Sequence, residues 1–526
     1  ISLMKNNINI SVHKEKILIF FLIFFSLLIN QYYGNKGLFP LDSFSHFDSG
    51  FRILLGEYPF RDYWIVSGPL LDYIQAFFFY VFGANWQSYV LHASILNSVI
   101  TISTFLVLKN FKLHIYYCFI YSILFSILAY PSSGTPFVDH HSAFFSLLGI
   151  YSLILAIKNE KKIYWIILPI FFTFAFLSKQ VPSSYIIICT FFILVAYTLM
   201  NKKFYWIKYS GLSSILLFLF LLIFFAFQDL SFSSFINQYI LYSQTLGEDR
   251  YEGLNLDFNN VILHFKYIYL AIAVLFYINI KKIYDNYNYI KEKDFMYFII
   301  LLCLTLSLIL HQILTRNQTF IFFLIPILIG FSHVSLIQNK KNHNFLVIIM
   351  IALCLFTTAK YHFRYNEDRK FHELSNVNFD LSSKANKIDK KFSGLNWISP
   401  EYKNNPKKEI ESIIKIKSYI EKDKRTKMII TNYSFFSVLL NEKVFSPIRW
   451  FIENGVGYPL TDNKYFPDFQ EFFVEKIKKN NIQIIYTIKP VNVSFLKDLL
   501  GEKCIKTLNV DNMLNVHLVL NCDKLM

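Results

Sequence analysis

The stretch YSGLSSILLFLFLLIFFAFQ, residues 209–228, runs for twenty residues without a charge. A helix of that length matches the roughly 30 Å hydrocarbon core of a bilayer and satisfies its interior backbone groups within itself. It is one of eleven such runs, near 17–33, 88–108, 114–130, 142–157, 163–178, 184–200, 209–228, 263–280, 295–313, 319–337 and 344–359. With 54% hydrophobic and 17% charged residues, the chain holds more apolar surface than one water-soluble core could bury. The expectation is a polytopic α-helical membrane protein of about 11 spans. The first run follows a basic head (Lys5, His13, Lys14, Lys16), but no small-residue cleavage site follows it, so it reads as a retained helix. Met4 reads as the natural start, with Ile1 to Leu3 an upstream extension. LLDYIQAFFFYVF, residues 70–82, is too short to span and carries Asp72, which fits a helix lying along the interface.

The basic residues set an orientation. Lys109 with Lys112, KNEKK at 158–162, NKKFYWIK at 201–208, KKIYDNYNYIKEKD at 281–294 and QNKKNH at 338–343 all fall in alternate loops, and the intervening loops hold few Lys and Arg. By the positive-inside rule those loops and the N-terminus are cytoplasmic, and the loop 34–87 is on the outer side. Eleven spans put everything after about Lys360 outside as well. The net charge of +16 is then mainly a topology signal plus a basic outer domain, so no nucleic-acid partner is expected. Residues 1–360 form the membrane domain in this reading. Residues 361–526 form an outer α/β domain, because the runs from 416 onward alternate helical and strand periodicity and close on two strands around a turn. Cys118, Cys189, Cys303 and Cys354 fall inside spans, whereas Cys504 and Cys522 flank the terminal hairpin and are candidates for a disulfide, with two unpaired thiols as the alternative.

The charged part of the first outer loop is HFDSGFRILLGEYPFRDYWIVSGP, residues 46–69. Across the whole first outer loop, 34–87, Asp42, Asp48, Glu57, Asp62 and Asp72 stand against Lys36, Arg52 and Arg61. Pro59, Gly68 and Pro69 fix turns, and Tyr58, Phe60, Tyr63 and Trp64 supply aromatic surface, which together describe an ordered loop rather than a solvated one.

Those residues, continued through LLDYIQAFFFYVFG, resemble the first outer loop of bacterial GT-C glycosyltransferases related to the protein O-mannosyltransferases (glycosyltransferase family 39, dolichyl-phosphate-mannose-protein mannosyltransferase-like). The family's loop carries an Asp followed by an acidic or small residue and a Gly, then G-x-x-P-Y-R-D-F-W, then G-P-L. Here the Asp-Glu pair common in the family is Asp48-Ser49, and the second element is Gly56-Glu57-Tyr58-Pro59-Phe60. The resemblance implies transfer of a hexosyl or pentosyl group from a polyprenyl-phosphate carrier to a glycan, lipid or protein acceptor, at the periplasmic face of a bacterial inner membrane. It implies inversion at the anomeric centre and no nucleotide sugar. Such a transfer needs a carboxylate to take the acceptor's proton and cations to stabilise the departing phosphate. Asp48 is the expected base, with Asp42 and Asp62 as alternatives; Arg52 and Arg61 pair carboxylates, and Asp62 beside Arg61 suits holding the loop.

Three further outer elements point the same way. Asp139, His140 and His141 in PSSGTPFVDHHSA either cap a helix or shape the site as a second acidic element. Lys179 in FLSKQVPSS either snorkels to the interface or binds the carrier phosphate. His311 and Arg316 in HQILTRNQTF sit at the outer end of a span, and Arg316 suits bidentate phosphate binding. SPIRWFIENGVGYP, with Arg449 and Trp450, suits carbohydrate or acceptor contact or a surface turn. Arg250, Tyr239 and Tyr242 in the 228–260 loop carry too little pattern to assign. No cofactor is assigned; a divalent cation is left open, because adjacent residues alone supply too few ligands. No Walker motif, dinucleotide loop, Cys-rich metal framework or repeat is present, which removes ATP-driven transport. The competing readings are a polyprenyl-linked glycan polymerase or ligase, a secondary transporter and an assembly scaffold; a transporter would place its charges at mid-depth.

Overall fold

The structure, a computed structural model, describes residues 2–316, 320–339, 344–452, 454–489 and 494–520. Among the described residues ten helices are long and apolar enough to cross a membrane: His13–Gly34, Trp86–Asn110, Ile115–Ser132, Val138–Asn159, Gln180–Asn201, Tyr205–Phe227, Lys266–Asp285, Lys293–Thr315, Ile321–Gln338 and Asn344–His372. The other expected span is the 17-residue helix Lys162–Ser178, which carries Pro169 in its interior and packs on Val138–Asn159 and on Tyr205–Phe227. Val138–Asn159 is almost wholly enclosed and forms the centre of the bundle, while Tyr205–Phe227 lies at its margin. On that outer helix Ile223 and Phe227 stay 69% and 85% exposed, as side chains facing lipid do.

One close crossing fixes the first span. Gly134 has φ +75, and a Cβ placed on it would lie 2.5 Å from the Gly34 Cα, so the end of the first helix and the turn after the third can meet only without side chains. Asn30 secures the same crossing by donating to the Gly134 carbonyl at 3.2 Å. At the opposite end the basic loops gather: Lys203 and Lys293 both pair with Glu160, and Lys158 donates to the Asn110 carbonyl at 2.9 Å.

The helix Pro69–Phe82 begins on Gly68, whose φ of +71 turns the chain, with Pro69 pre-set for the first helical turn. It buries Leu71, Asp72, Gln75 and Phe79 and leaves Phe77, Tyr80, Val81 and Phe82 exposed, an apolar outer face suited to an interface.

The C-terminal part is α/β. A two-stranded piece, β1 (Ser383–Lys384) with β2 (Asn396–Trp397), precedes a four-stranded sheet of β3 (Lys427–Ile430), β4 (Ile484–Ile488), β5 (Ile505–Asp511) and β6 (Leu514–Val519) in the order β3-β4-β6-β5. β3 and β4 are parallel and buried at every residue, which fits their mainly apolar sequences, KMII and IIYTI. β6 is antiparallel to both β4 and β5, and the edge strand β5 carries its polar residues to solvent. The helix Pro406–Lys422 presents Ile410, Ile413, Ile416 and Ile420 to the sheet at three- and four-residue spacing.

The first loop is the joint between the two parts. Phe44, Phe47, Phe79, Trp86 and Tyr89 share one core with Phe392, Trp397, Ile410 and Phe435. Backbone bonds stitch the same junction: Leu38 donates to Ile398, Asn396 to Asn35 and Trp64 to Pro447, at 3.0, 2.9 and 2.8 Å. The proposed Cys504–Cys522 pairing falls partly outside the described residues, since Cys522 is beyond residue 520.

Candidate active site

A cavity of about 380 Å³ opens where the first loop, the bundle and the C-terminal part meet. It lies within the range of small-molecule sites. Asp42 enters from the one-turn helix Pro40–Ser43, Asp139 from the start of Val138–Asn159, and Lys179 from the extended link between two helices. His311 comes from the end of Lys293–Thr315, Arg250 from Tyr242–Glu252, and Arg449 with Trp450 from the loop after the short helix Phe436–Leu440.

Asp139 and Lys179 form a tight pair, the Lys179 Nζ lying 2.8 Å from each carboxylate oxygen, and His311 Nε2 is 2.7 Å from Asp139 Oδ1. The lysine therefore sits in the cavity already neutralised in part. Burial pushes the Asp42 carboxyl up to about 7, helped by the charges of Asp139 and Glu373 and opposed by Lys179. Arg250 makes no ion pair among the described residues. Arg449 donates to the Ser67 carbonyl at 2.6 Å and to its hydroxyl at 3.2 Å, and its guanidinium stands 3.9 Å from Asp72. Among the described residues no three His, Cys, Asp or Glu side chains are gathered as metal ligands.

The structure separates the expected base from this cavity. Asp48 lies on the helix Phe47–Leu54, where its carboxylate accepts the Val438 N–H at 3.2 Å, and it is not part of the cavity wall. Burial pushes its carboxyl up to about 6, against the pull of Arg52. The turn at Phe44 to His46 separates two short helices and re-aims the chain between Asp42 and Asp48, so the two acids face different partners. Arg316 is likewise outside the wall: it has a left-handed φ of 56 just beyond the span and is exposed, although Leu314 and Thr315 line the cavity. His140 bonds Ser132 at 3.1 Å, and His141 bonds Tyr130 and, at 2.8 Å, His92; both turn into the helical core because the helix rotates them away from Asp139.

The remaining loop charges fasten rather than line. Arg52, almost fully buried, pairs with Glu57 at 3.1 Å, donates to the Ser446 carbonyl at 2.8 Å and stacks over Tyr63. Arg61 pairs with Asp62 at 2.7 Å and donates to the Gln228 carbonyl at 3.0 Å, while Asp62 accepts the Tyr58 N–H at 2.8 Å. Lys476, reaching Glu57 from the C-terminal part at 3.5 Å, is held down to about 8 by burial.

Three cavity residues lacked a decisive sequence signal. Arg250 sits in a stretch whose sequence shows no periodicity, although it folds as the helix Tyr242–Glu252. Gln180, which donates to the Val66 carbonyl at 2.8 Å, is an ordinary residue beside Lys179. His46 was inside the charged loop, but only the fold shows that Asp72 reaches back to it, at 2.7 Å.

Residues 66–227 match the family model described as Dolichyl-phosphate-mannose-protein mannosyltransferase. Two crystal structures of ArnT from Cupriavidus metallidurans are similar to the chain: one bound to undecaprenyl phosphate, at 9% identity and a TM-score of 0.46 over 94% of this chain and 97% of that one. The other, in the apo state, has 10% identity and a TM-score of 0.42 over 93% and 96% of the two chains. No curated protein sequence matches the chain. Residues 66–227 are thus similar in sequence to the dolichyl-phosphate-mannose-protein mannosyltransferase family, over the end of the first loop and the spans that follow it.

Proposed function

We propose that the protein is a GT-C-type membrane glycosyltransferase that moves a sugar from a polyprenyl-phosphate donor to an acceptor, with Asp42 rather than Asp48 as the base. The observation that supports this reading is the cavity: a carboxyl poised near neutrality faces three cationic side chains at one end of a helical bundle. Asp42 takes the proton from the acceptor's nucleophile as it attacks the anomeric carbon. The bond from that carbon to the phosphate oxygen breaks, and the polyprenyl phosphate leaves with its charge met by Lys179, Arg250 and Arg449. A single displacement of this kind inverts the anomeric centre. Asp139 and His311 hold the Lys179 ammonium in place. The basic loops gathered at the opposite end support a cytoplasmic N-terminus, with the cavity and the C-terminal part on the periplasmic side of a bacterial inner membrane.

The test is transfer of labelled sugar from a panel of glycosyl-phosphoryl-undecaprenols in membranes carrying wild type, Asp42→Asn or Asp48→Asn at matched expression. Loss of transfer in Asp42→Asn, with Asp48→Asn retaining it, is the expected result. The reverse pattern returns the role to Asp48, and silence of the wild type across a broad panel of donors and acceptors rejects the activity.

A further inference from the structure

A second cavity, of about 480 Å³, lies between three helices at the basic end of the bundle. Val138–Asn159 starts at the candidate active site with Asp139 and reaches this cavity with its stretch Leu148 to Leu155. Ser103 to Asn110 of Trp86–Asn110 and Tyr164 to Phe171 of Lys162–Ser178 complete the wall. Each stretch rises about 10 Å, so the cavity is a groove that runs from the helix ends into the depth of the bundle. Leu106 in its wall stays 45% exposed, and the groove is open to lipid along that side.

The groove is polarised along its length. The directions of the three helices put Ser103, Leu148 and Phe171 at the deep end and Lys109, Leu155 and Tyr164 at the mouth. Polar side chains along the wall are spent on the protein itself. Ser103 donates to the Val99 carbonyl at 2.8 Å, Ser152 donates to the Tyr164 carbonyl at 2.7 Å, and the Tyr151 hydroxyl bonds Thr104 at 2.9 Å. An occupant therefore meets an apolar wall below the mouth. The mouth itself is cationic. Lys109 Nζ pairs with Glu15 at 2.5 Å, yet its side chain is 42% exposed and its ammonium has donors to spare. Lys158 Nζ lies 2.9 Å from the Asn110 carbonyl and 3.8 Å from the centroid of the Phe111 ring. Asp294 and Lys112, both in electrostatic reach of Lys158, oppose one another. Two ammoniums against one carboxylate leave a single positive charge for an occupant to offset.

We propose that this groove binds an anionic phospholipid from the leaflet at the basic end, with the phosphate at Lys109 and Lys158 and the upper part of an acyl chain along Leu155 and Ile167. A zwitterionic lipid brings its own ammonium to a mouth that already holds two, so charge selects the anionic headgroup. Such a site needs the bundle to cross a bilayer and is independent of sugar transfer.

The experiment uses the full chain in phosphatidylcholine nanodiscs doped with a phosphatidylglycerol that carries a diazirine near the top of one acyl chain. After illumination, peptide mass spectrometry compares the label on residues 148–155 and 164–171 with that on Tyr205–Phe227, whose exposed apolar side chains report bulk lipid contact. The expected result is enrichment in the groove that unlabelled phosphatidylglycerol competes away and phosphatidylethanolamine at the same mole fraction does not. Lys109→Gln lowers the enrichment about fivefold, the worth of one lysine facing an anionic lipid. Glu15→Gln raises it, because the competing carboxylate is gone. A purely structural ion pair moves both variants the same way. Leu155→Trp fills the groove and abolishes the enrichment, with size exclusion in detergent reporting its fold; where that variant does not fold, the Lys109 and Glu15 variants carry the test.

Four results overturn the proposal: label in the groove no higher than on Tyr205–Phe227, competition by phosphatidylethanolamine as complete as by phosphatidylglycerol, Lys109→Gln and Glu15→Gln shifting the enrichment in the same direction, or undecaprenyl phosphate displacing the probe better than phosphatidylglycerol, which gives the groove to a carrier lipid.

Discussion

A carboxyl that ionises near pH 7 is matched to accepting a proton at neutral pH, and burial gives Asp42 that property. In the proposed role only its carboxylate form takes the acceptor's proton. With the pKa raised to about 7, kcat/KM is expected to rise as pH increases through that value and to fall below it. A pH profile that stays flat between the ordinary carboxylate range and neutrality assigns the proton to another group. Asp139 and Lys179 make a different prediction, because each neutralises a partner that the cavity otherwise strands. Asp139→Asn or Lys179→Met alone is expected to cost about 3 kcal/mol of stability, the usual penalty for an uncompensated buried charge. The double variant should cost less than the sum of the two, by thermal unfolding in detergent. Strict additivity contradicts the pairing.

At the scale of elements, the first loop works as a fastener. Arg52 joins Glu57, two carbonyls of the C-terminal part and the Tyr63 ring, so Arg52→Met removes the charge while keeping much of the volume. The expected outcome is a loss of about 3 kcal/mol, since Glu57 then keeps only Lys476 at 3.5 Å as a cationic partner, together with faster proteolysis around residues 440–450. Unchanged proteolysis shows that the loop does not hold the C-terminal part. The crossing at Gly34 and Gly134 is stricter. Gly134→Ala combines a left-handed backbone with a contact that has no room, and its expected penalty of about 2 kcal/mol or more is read as a lowered unfolding temperature. The loop's order was legible, since prolines, glycines and alternating charge signs in a short stretch leave few loose arrangements. The partners of Arg52 were not, because the Ser446 and Ile448 carbonyls lie almost 400 residues away and a carbonyl leaves no mark in a sequence.

Across the whole molecule, the C-terminal part completes both a core and the cavity. Phe44, Phe47 and Trp86 lose their apolar partners without it, and the cavity loses Arg449 and Trp450. Ending the chain at residue 361 is therefore expected to give a protein that inserts but extracts as aggregate by size exclusion and transfers no sugar; a monodisperse, active truncation refutes the shared core. The sequence by itself determined the spans, the basic ends of the loops, the α/β character of the last third and the resemblance of residues 66–227 to a known family. Those are read from local composition, from period and from near neighbours, and the bilayer enforces them on every apolar run. Only the tertiary structure decided which acid faces the cavity and which cations stand opposite it. Asp42 and Asp48 share a loop and a chemistry, and a single turn between two short helices sends one to the cavity and the other to Val438. Arg250 and Arg449 reach that cavity from segments 199 residues apart, and an encounter of that kind is fixed by packing, which no local pattern encodes.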